Sequence, residues 1–190
     1  MLLLASRSPR RREILESAGI PFEVRAVDIH ESRRDDEPPD DYVRRLAREK
    51  AEAVRASLDD VVLGADTVVV LDRHVLEKPV DAEDARRMLR LLSGRDHVVI
   101  TGVCLRSAQR LIVDSERTIV RFMAMTEEEI EQYAASGEPM DKAGAYAIQG
   151  LASKFIVRVE GCYFNVVGLP VAKVYRMLRE LRGDLRRTGE

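Results

Sequence analysis

Residues 2–15, "LLLASRSPRRREIL", run from three leucines through a Ser-Arg-Ser-Pro turn and three arginines into an Ile-Leu pair. Leu2 to Ala5 read as a short buried strand, and Pro9 suits the first turn of a helix, where its missing N–H costs nothing; Ser8 is then the expected N-cap. A strand that feeds a helix through so short a loop turns backbone N–H groups and the positive end of the helix dipole toward whatever lies above it, so an anion belongs there. Arg10, Arg11 and Arg12 set like charge against that dipole. Two readings stand side by side: a solvated basic helix end, or a phosphate clamp in which a bound polyanion relieves the repulsion.

Outward from this unit, strands and helices alternate. A strand is expected at Pro21–Ala26, and apolar residues at Val43, Leu46, Ala47, Ala51 and Val54 predict a helix from about Asp40 to Ser57. "VVLGADTVVVLD", Val61 to Asp72, reads as a continuous strand whose apolar run is interrupted in its middle by Gly64 to Thr67, followed by a hairpin through Arg73 and His74. A helix from Asp81 stops at Gly94, two long strands follow within 97–106 and 110–123, and Thr126 with Glu129 forms a capping box for a further helix that closes at Gly137 and Pro139. Then come a small-residue segment from Lys142 to Gly150, a strand pair around Gly161, and a last helix from about Pro170 to Arg182. The pattern predicts an α/β fold: a mixed, strongly twisted sheet with helices on both sides.

A chain of 190 residues is expected to form one domain with a substantial core. A net charge of -2 argues against binding to nucleic acid polymers, because any positive patch must be local. Cys104 and Cys162 lack C-x-x-C spacing, which fits reduced thiols in the cytoplasm, and His30, His74 and His97 suggest no zinc site. With no apolar run of membrane-spanning length and no signal-peptide pattern, a cytoplasmic protein without membrane contact is expected. "HESRRDDEPPDD", His30 to Asp41, is the densest polar stretch and reads as a mobile loop.

Asp66 is the most informative residue. A carboxylate in a strand of Val, Leu and Ala is costly unless it is paired, metal-bound or solvated in a cleft. It reads either as a turn cap through Gly64 or as a metal ligand or general base, with Gly64 and Ala65 letting a ligand approach the backbone. Lys50, near a helix end, has an ordinary reading as a complement to the dipole, and Lys78 in "LEKP" is held extended by the proline that follows. "EPMDKAGAYAIQG", Glu138 to Gly150, sets Asp141, Lys142, Tyr146 and Gln149 among small residues, a composition that suits close approach to a ligand; Gln149 carries both donor and acceptor and could read a base edge. The chain has no Walker motif, no G-x-G-x-x-G, no nucleophile elbow and no kinase signature, so triphosphate chemistry would need a different cradle.

Taken in order, "SRSPRRREIL", "GADTVV", "EKP", "LSGR", "TGV" and "EPMDKAGAYAIQG" resemble the Maf family of nucleoside triphosphate pyrophosphatases from about Leu2 to Leu181. The resemblance implies an α/β fold with two lobes around a deep cleft, related to the inosine triphosphate pyrophosphatases. It implies hydrolysis of nucleotides to the monophosphate and pyrophosphate with a divalent metal, magnesium or manganese. Asp66 matches the family's proton acceptor, and Ser6, Ser8, Arg11, Lys50 and Lys78 match its phosphate and metal-water environment. Arg10, Thr67 and Gln149 match the positions that set substrate choice and look like the dTTP and UTP branch, with CTP or modified pyrimidine nucleotides as further candidates. Glu31 corresponds to an acidic residue expected to partner Asp66 at the metal. Arg12 is assigned to solvent, and a homodimer is implied. Glu77 replaces a usual glycine before Lys-Pro, and His30 a frequent acid. The alternative reading is a nucleotide-binding regulator of septum formation with little catalysis.

Overall fold

The computed structural model describes residues 1–181 and 183. The elements are β1 (Leu2–Leu4), α1 (Pro9–Ser17), β2 (Glu23–Val24), α2 (Pro39–Ala53), β3 (Val61–Leu71), β4 (His74–Leu76), α3 (Ala82–Leu92), β5 (Asp96–Arg106), β6 (Leu111–Phe122), α4 (Glu127–Ala135), β7 (Ile156–Glu160), α5 (Tyr163–Val167) and α6 (Val171–Leu181). Short 3-10 turns fill 138–145 and 151–155. The mixed sheet has the order β2-β1-β3-β5-β6-β7, with β4 hairpinned onto β3. β1 pairs parallel with β2 and β3, whereas β6 pairs antiparallel with β7.

Local chemistry accounts for most of these boundaries. Ser8 caps α1 by accepting from Arg11 N, with Pro9 inside the first turn. Asp81 accepts from Asp84 N at the start of α3, and Thr126 and Glu129 complete the capping box of α4. Three expectations need correction. β2 has two residues rather than the six of Pro21–Ala26, because its ladder with β1 pairs only Glu23 with Leu3 and Val24 with Leu4 before Arg25 makes a last bond to the Leu4 carbonyl. α2 stops at Ala53, short of Ser57; Arg106 donates to the carbonyls of Ala51 and Val54 at 3.0 and 2.7 Å and satisfies the helix end there. As expected, β3 is one strand through Gly64 to Thr67, since the ladder is made by backbone and tolerates a polar side chain that has a partner. No strand pair flanks Gly161: its φ of +122° and the bond from Cys162 N to Thr118 Oγ1 turn the chain from β7 into α5. The expected last helix forms, although Arg182 lies outside the described residues.

The chain divides into two compact units and passes from one to the other within β3, β5 and β6. The first comprises residues 1–66, 101–116 and 168–181; its core packs Leu3, Ala47, Ala51, Val62 and Cys104 together. The second comprises 67–100 and 117–167. In it, His97, Phe122 and Tyr146 meet edge to face with ring centroids 4.8 to 5.3 Å apart. Arg86 and Arg90 on α3 pair with Glu131 and Glu127 on α4 at 2.7 and 3.0 Å.

Candidate active site

The geometry of the first unit begins at a glycine. A Cβ on Gly64 would stand 2.0 Å from the Ala47 carbonyl oxygen and 2.9 Å from Ala51 N, so its absence lets α2 lie directly on β3. The space that the sequence reading gave to an approaching ligand is filled by helix backbone. Residues two apart on a strand share a face, so Asp66 meets the same helix, one turn beyond Ala47. There Lys50 Nζ donates to Asp66 Oδ1 at 2.6 Å.

Both partners are buried, Lys50 at 8% and Asp66 at 7% exposure. The same ammonium meets Glu31 Oε1 at 2.8 Å, so one cation is shared by two carboxylates. Burial pushes the Asp66 carboxyl above the ordinary carboxylate value, against the pull of Lys50 and Arg11. A carboxylate so placed can accept a proton.

Glu31 lies on the polar stretch between β2 and α2, and that stretch is fastened. Arg45 on α2 donates to the two carboxylate oxygens of Glu37 at 2.7 Å each, to Glu49 at 3.1 Å, and to the Ser32 carbonyl at 2.9 Å. Arg33 adds a bond to the Glu37 carbonyl. The Arg45 guanidinium holds the Glu37 carboxyl at about 2. The mobile loop expected from composition is therefore clasped to α2 at the residue after Glu31, and sequence reasoning missed Arg45 and Glu37. Their only local signal was the i,i+4 pairing of Arg45 with Glu49; the bond to Glu37 spans a turn whose path the sequence does not show.

Beside this cluster, Ser6 Oγ accepts from Ser8 N at 3.2 Å and from Arg11 Nη1 at 3.1 Å. Arg11 also donates from Nη1 to the Ala65 carbonyl and from Nε to the Gly168 carbonyl, each at 2.9 Å. Burial lowers the pKa of its guanidinium, while the charge of Asp66 raises it. Through these atoms Arg11 braces the serine loop against β3 next to Asp66. What it offers an anion through them is charge. Arg10 is half-buried, and Arg12 is exposed, as its assignment to solvent requires.

The structure thus gathers Ser6, Ser8, Arg11, Glu31, Lys50 and Asp66 within the first unit. Thr67, next along β3, belongs to the second, as do Lys78 and Gln149. Lys78 is exposed after β4, and Gln149 is exposed at the end of a run of buried residues, 144–148. The carbonyl of Glu77, the residue that departs from the family pattern, accepts from Gly144 N at 3.0 Å.

Among the described residues no group of three or more His, Cys, Asp and Glu side chains is placed to hold a metal ion by itself. Asp66 and Glu31 nevertheless converge on a single positive charge. Hard divalent cations take oxygen ligands and are commonly held by one or two carboxylates together with substrate phosphates. Two carboxylates facing one point fit that mode of binding, with the Lys50 ammonium now at the point of convergence.

A family profile described as Maf-like protein matches residues 1–181. The chain is 54% identical over 179 residues to a dTTP/UTP pyrophosphatase of Koribacter versatilis, covering 94% of this chain and 93% of that protein. It is 53% identical over 182 residues to a dTTP/UTP pyrophosphatase of Anaeromyxobacter dehalogenans, covering 94% and 92%. In fold it is similar to the Ham1 protein of Staphylococcus aureus, with a TM-score of 0.54 at 11% identity over 97% of this chain and 99% of that one.

Proposed function

The chain belongs to the Maf family, and from that premise we propose that it is a nucleoside triphosphate pyrophosphatase that hydrolyses dTTP and UTP to the monophosphate and pyrophosphate. The observation that carries the proposal is the buried Asp66–Lys50 contact of 2.6 Å, with Glu31 on the same ammonium. A lone structural ion pair does not call for a second carboxylate on a cation that is already neutralised.

Water attacks the α-phosphorus, a new P–O bond forms, and the bond to the bridging oxygen breaks to release pyrophosphate. Asp66 takes the proton from the attacking water, and its raised pKa suits it to that task. Lys50 orients the Asp66 carboxylate and offsets charge beside it. Ser6, Ser8 and the N–H groups that open α1 receive phosphate oxygens, and Arg11 adds charge to the same loop. By the family resemblance Lys78 neutralises the leaving pyrophosphate, and Arg10, Thr67 and Gln149 select the base. Asp66 and Glu31 would hold a divalent cation, which supplies Lewis-acid charge for the phosphate oxygens and acidifies water.

Both free cysteines are thiols without a disulfide partner, which supports a cytoplasmic setting. Among the described residues no helix is long and apolar enough to cross a membrane. A homodimer joined through β7 is part of the same reading. β7 ends the sheet, and Arg158 and Glu160 on it are exposed and of opposite sign. A second copy paired antiparallel about Val159 would set each Arg158 against the other copy's Glu160. The regulatory reading has less support, because the proposed base and its cationic partner are both in place.

The test is incubation of the purified protein with a panel of nucleoside triphosphates and magnesium or manganese, with mono- and diphosphate, phosphate and pyrophosphate resolved. Equimolar monophosphate and pyrophosphate from dTTP and UTP are expected. Release of single phosphates, or tight binding without turnover, would overturn the proposal.

A further inference from the structure

Residues 138–151 contain no strand and no α-helix, yet they are held at close intervals. The Glu138 carboxylate accepts from Tyr133 OH at 2.8 Å through one oxygen and from Leu151 N at 3.1 Å through the other. Tyr133 OH in turn accepts from Ala147 N at 3.1 Å. Tyr146 OH shares a hydrogen bond of 2.8 Å with His97 Nε2 on β5. A Cβ on Gly150 would stand 2.3 Å from Glu138 Oε2, so the chain passes directly over that carboxylate.

Gly144 and Ala145 both have positive φ, +69° and +60°, and Ala145 is fully buried. A non-glycine residue keeps that conformation only where its surroundings over-determine it, and strain of this kind gathers where a side chain must be aimed. The residue aimed here is Gln149: residues 144–148 before it are buried, whereas Gln149 itself is exposed. A buried phenol and a half-buried carboxylate serving only to fill space would not need to bond to main-chain N–H groups on both sides of one exposed amide.

Resting on the reading of Gln149 as the base-selecting residue, we infer that Tyr133 and Glu138 are positioning residues for specificity: they fix the 147–151 backbone so that the Gln149 amide meets one base edge. Tyr133 bonds to the segment two residues before Gln149, and Glu138 two residues after it. The phenol remains protonated throughout the working range, since burial and the neighbouring Glu138 carboxylate raise its pKa, so its O–H is always available to Glu138. His97 supports the same segment as a neutral ring, because burial pushes its pKa down to about 4. A fixed amide rejects a base with the wrong donor and acceptor pattern because its own polar groups would be left unpaired; an amide free to rotate could adapt to either pattern.

The test compares Tyr133→Phe, Glu138→Gln, Gln149→Ala and the double variant Tyr133→Phe/Gln149→Ala with the wild type, by kcat and KM for dTTP, dCTP and dATP. Tyr133→Phe keeps the ring and loses both hydroxyl bonds. It is expected to raise KM for dTTP about tenfold with kcat within twofold, and to reduce the preference for dTTP by a similar factor. Glu138→Gln keeps a single acceptor oxygen and so loses one of the two bonds; it should reduce the preference for dTTP in the same direction as Tyr133→Phe. Because Tyr133 acts through Gln149, the double variant should show no further loss of preference beyond Gln149→Ala alone. A uniform fall for all three nucleotides in Tyr133→Phe, or additive losses in the double variant, would overturn the inference while leaving the reading of Gln149 intact. An unchanged preference in Gln149→Ala would overturn that reading and this inference with it.

Discussion

Asp66 stands 2.6 Å from Lys50 inside a unit where neither charge could remain alone. Asp66→Asn keeps the shape and leaves Lys50 its bond to Glu31, so the fold should persist with an unchanged circular dichroism spectrum. Turnover should fall about a thousandfold, within the range that a general base contributes. Retention of wild-type turnover would reject the assignment. The pH dependence follows from the direction of the shift: the base must be ionised, and burial raises its pKa, so kcat/KM should fall with falling pH at a midpoint above the ordinary carboxylate value. An acid limb at or below that value would argue that another group titrates. Asp66 was legible in the sequence because a carboxylate within Val and Leu demands an explanation. Lys50 was legible only through the family resemblance, since a lysine near a helix C-terminus already has an ordinary role in complementing the dipole. Arg45 and Glu37 were invisible for a related reason: in the sequence, each is one charge in a polar run.

α2 takes its place on the sheet through two glycines. Cβ atoms on Gly64 and Gly102 would lie 2.0 and 2.2 Å from the backbone oxygens of Ala47 and Val43, and backbone cannot step aside as the end of a flexible side chain can. Gly64→Ala should therefore lift α2 from β3, destabilise the protein by about 1–3 kcal/mol or more in urea unfolding, and weaken activity by separating Lys50 from Asp66. Unchanged stability and activity would mean that the helix position does not set the site. The elements with cap chemistry or clear periodicity were legible: α1, α3 and α4 begin at the residues expected of them. Those that failed depend on remote partners. β2 shortened to the residues that β1 can pair, α2 ended where Arg106 takes its carbonyls, and the chain after Gly161 turned into a helix because Thr118 holds Cys162.

For the whole molecule, the homodimer reading makes a self-complementary prediction. Arg158→Glu would set acid against acid across a β7 pair, and Glu160→Arg would set base against base, so each variant alone should sediment as a monomer. Mixed in equal amounts, the two should recover a heterodimer. A monomeric wild type, or single variants that remain dimeric, would remove β7 as the interface. A net charge of -2 places no long-range obstacle before two copies, so the local pattern should decide. By itself the sequence determined the α/β class, the order of the elements, the capping residues and the family motifs. These arise from neighbours within a few residues or from composition, and a linear string carries both. The tertiary structure alone decided that Gly64 serves α2, that Lys50 is shared by Asp66 and Glu31, that Arg45 clasps the polar loop, and that Arg11 reaches Ala65 and Gly168. Those last contacts join residues 54 and 157 positions apart, and partners at such distances are selected by strand register and close packing in three dimensions, where a residue's neighbours along the chain hold no information.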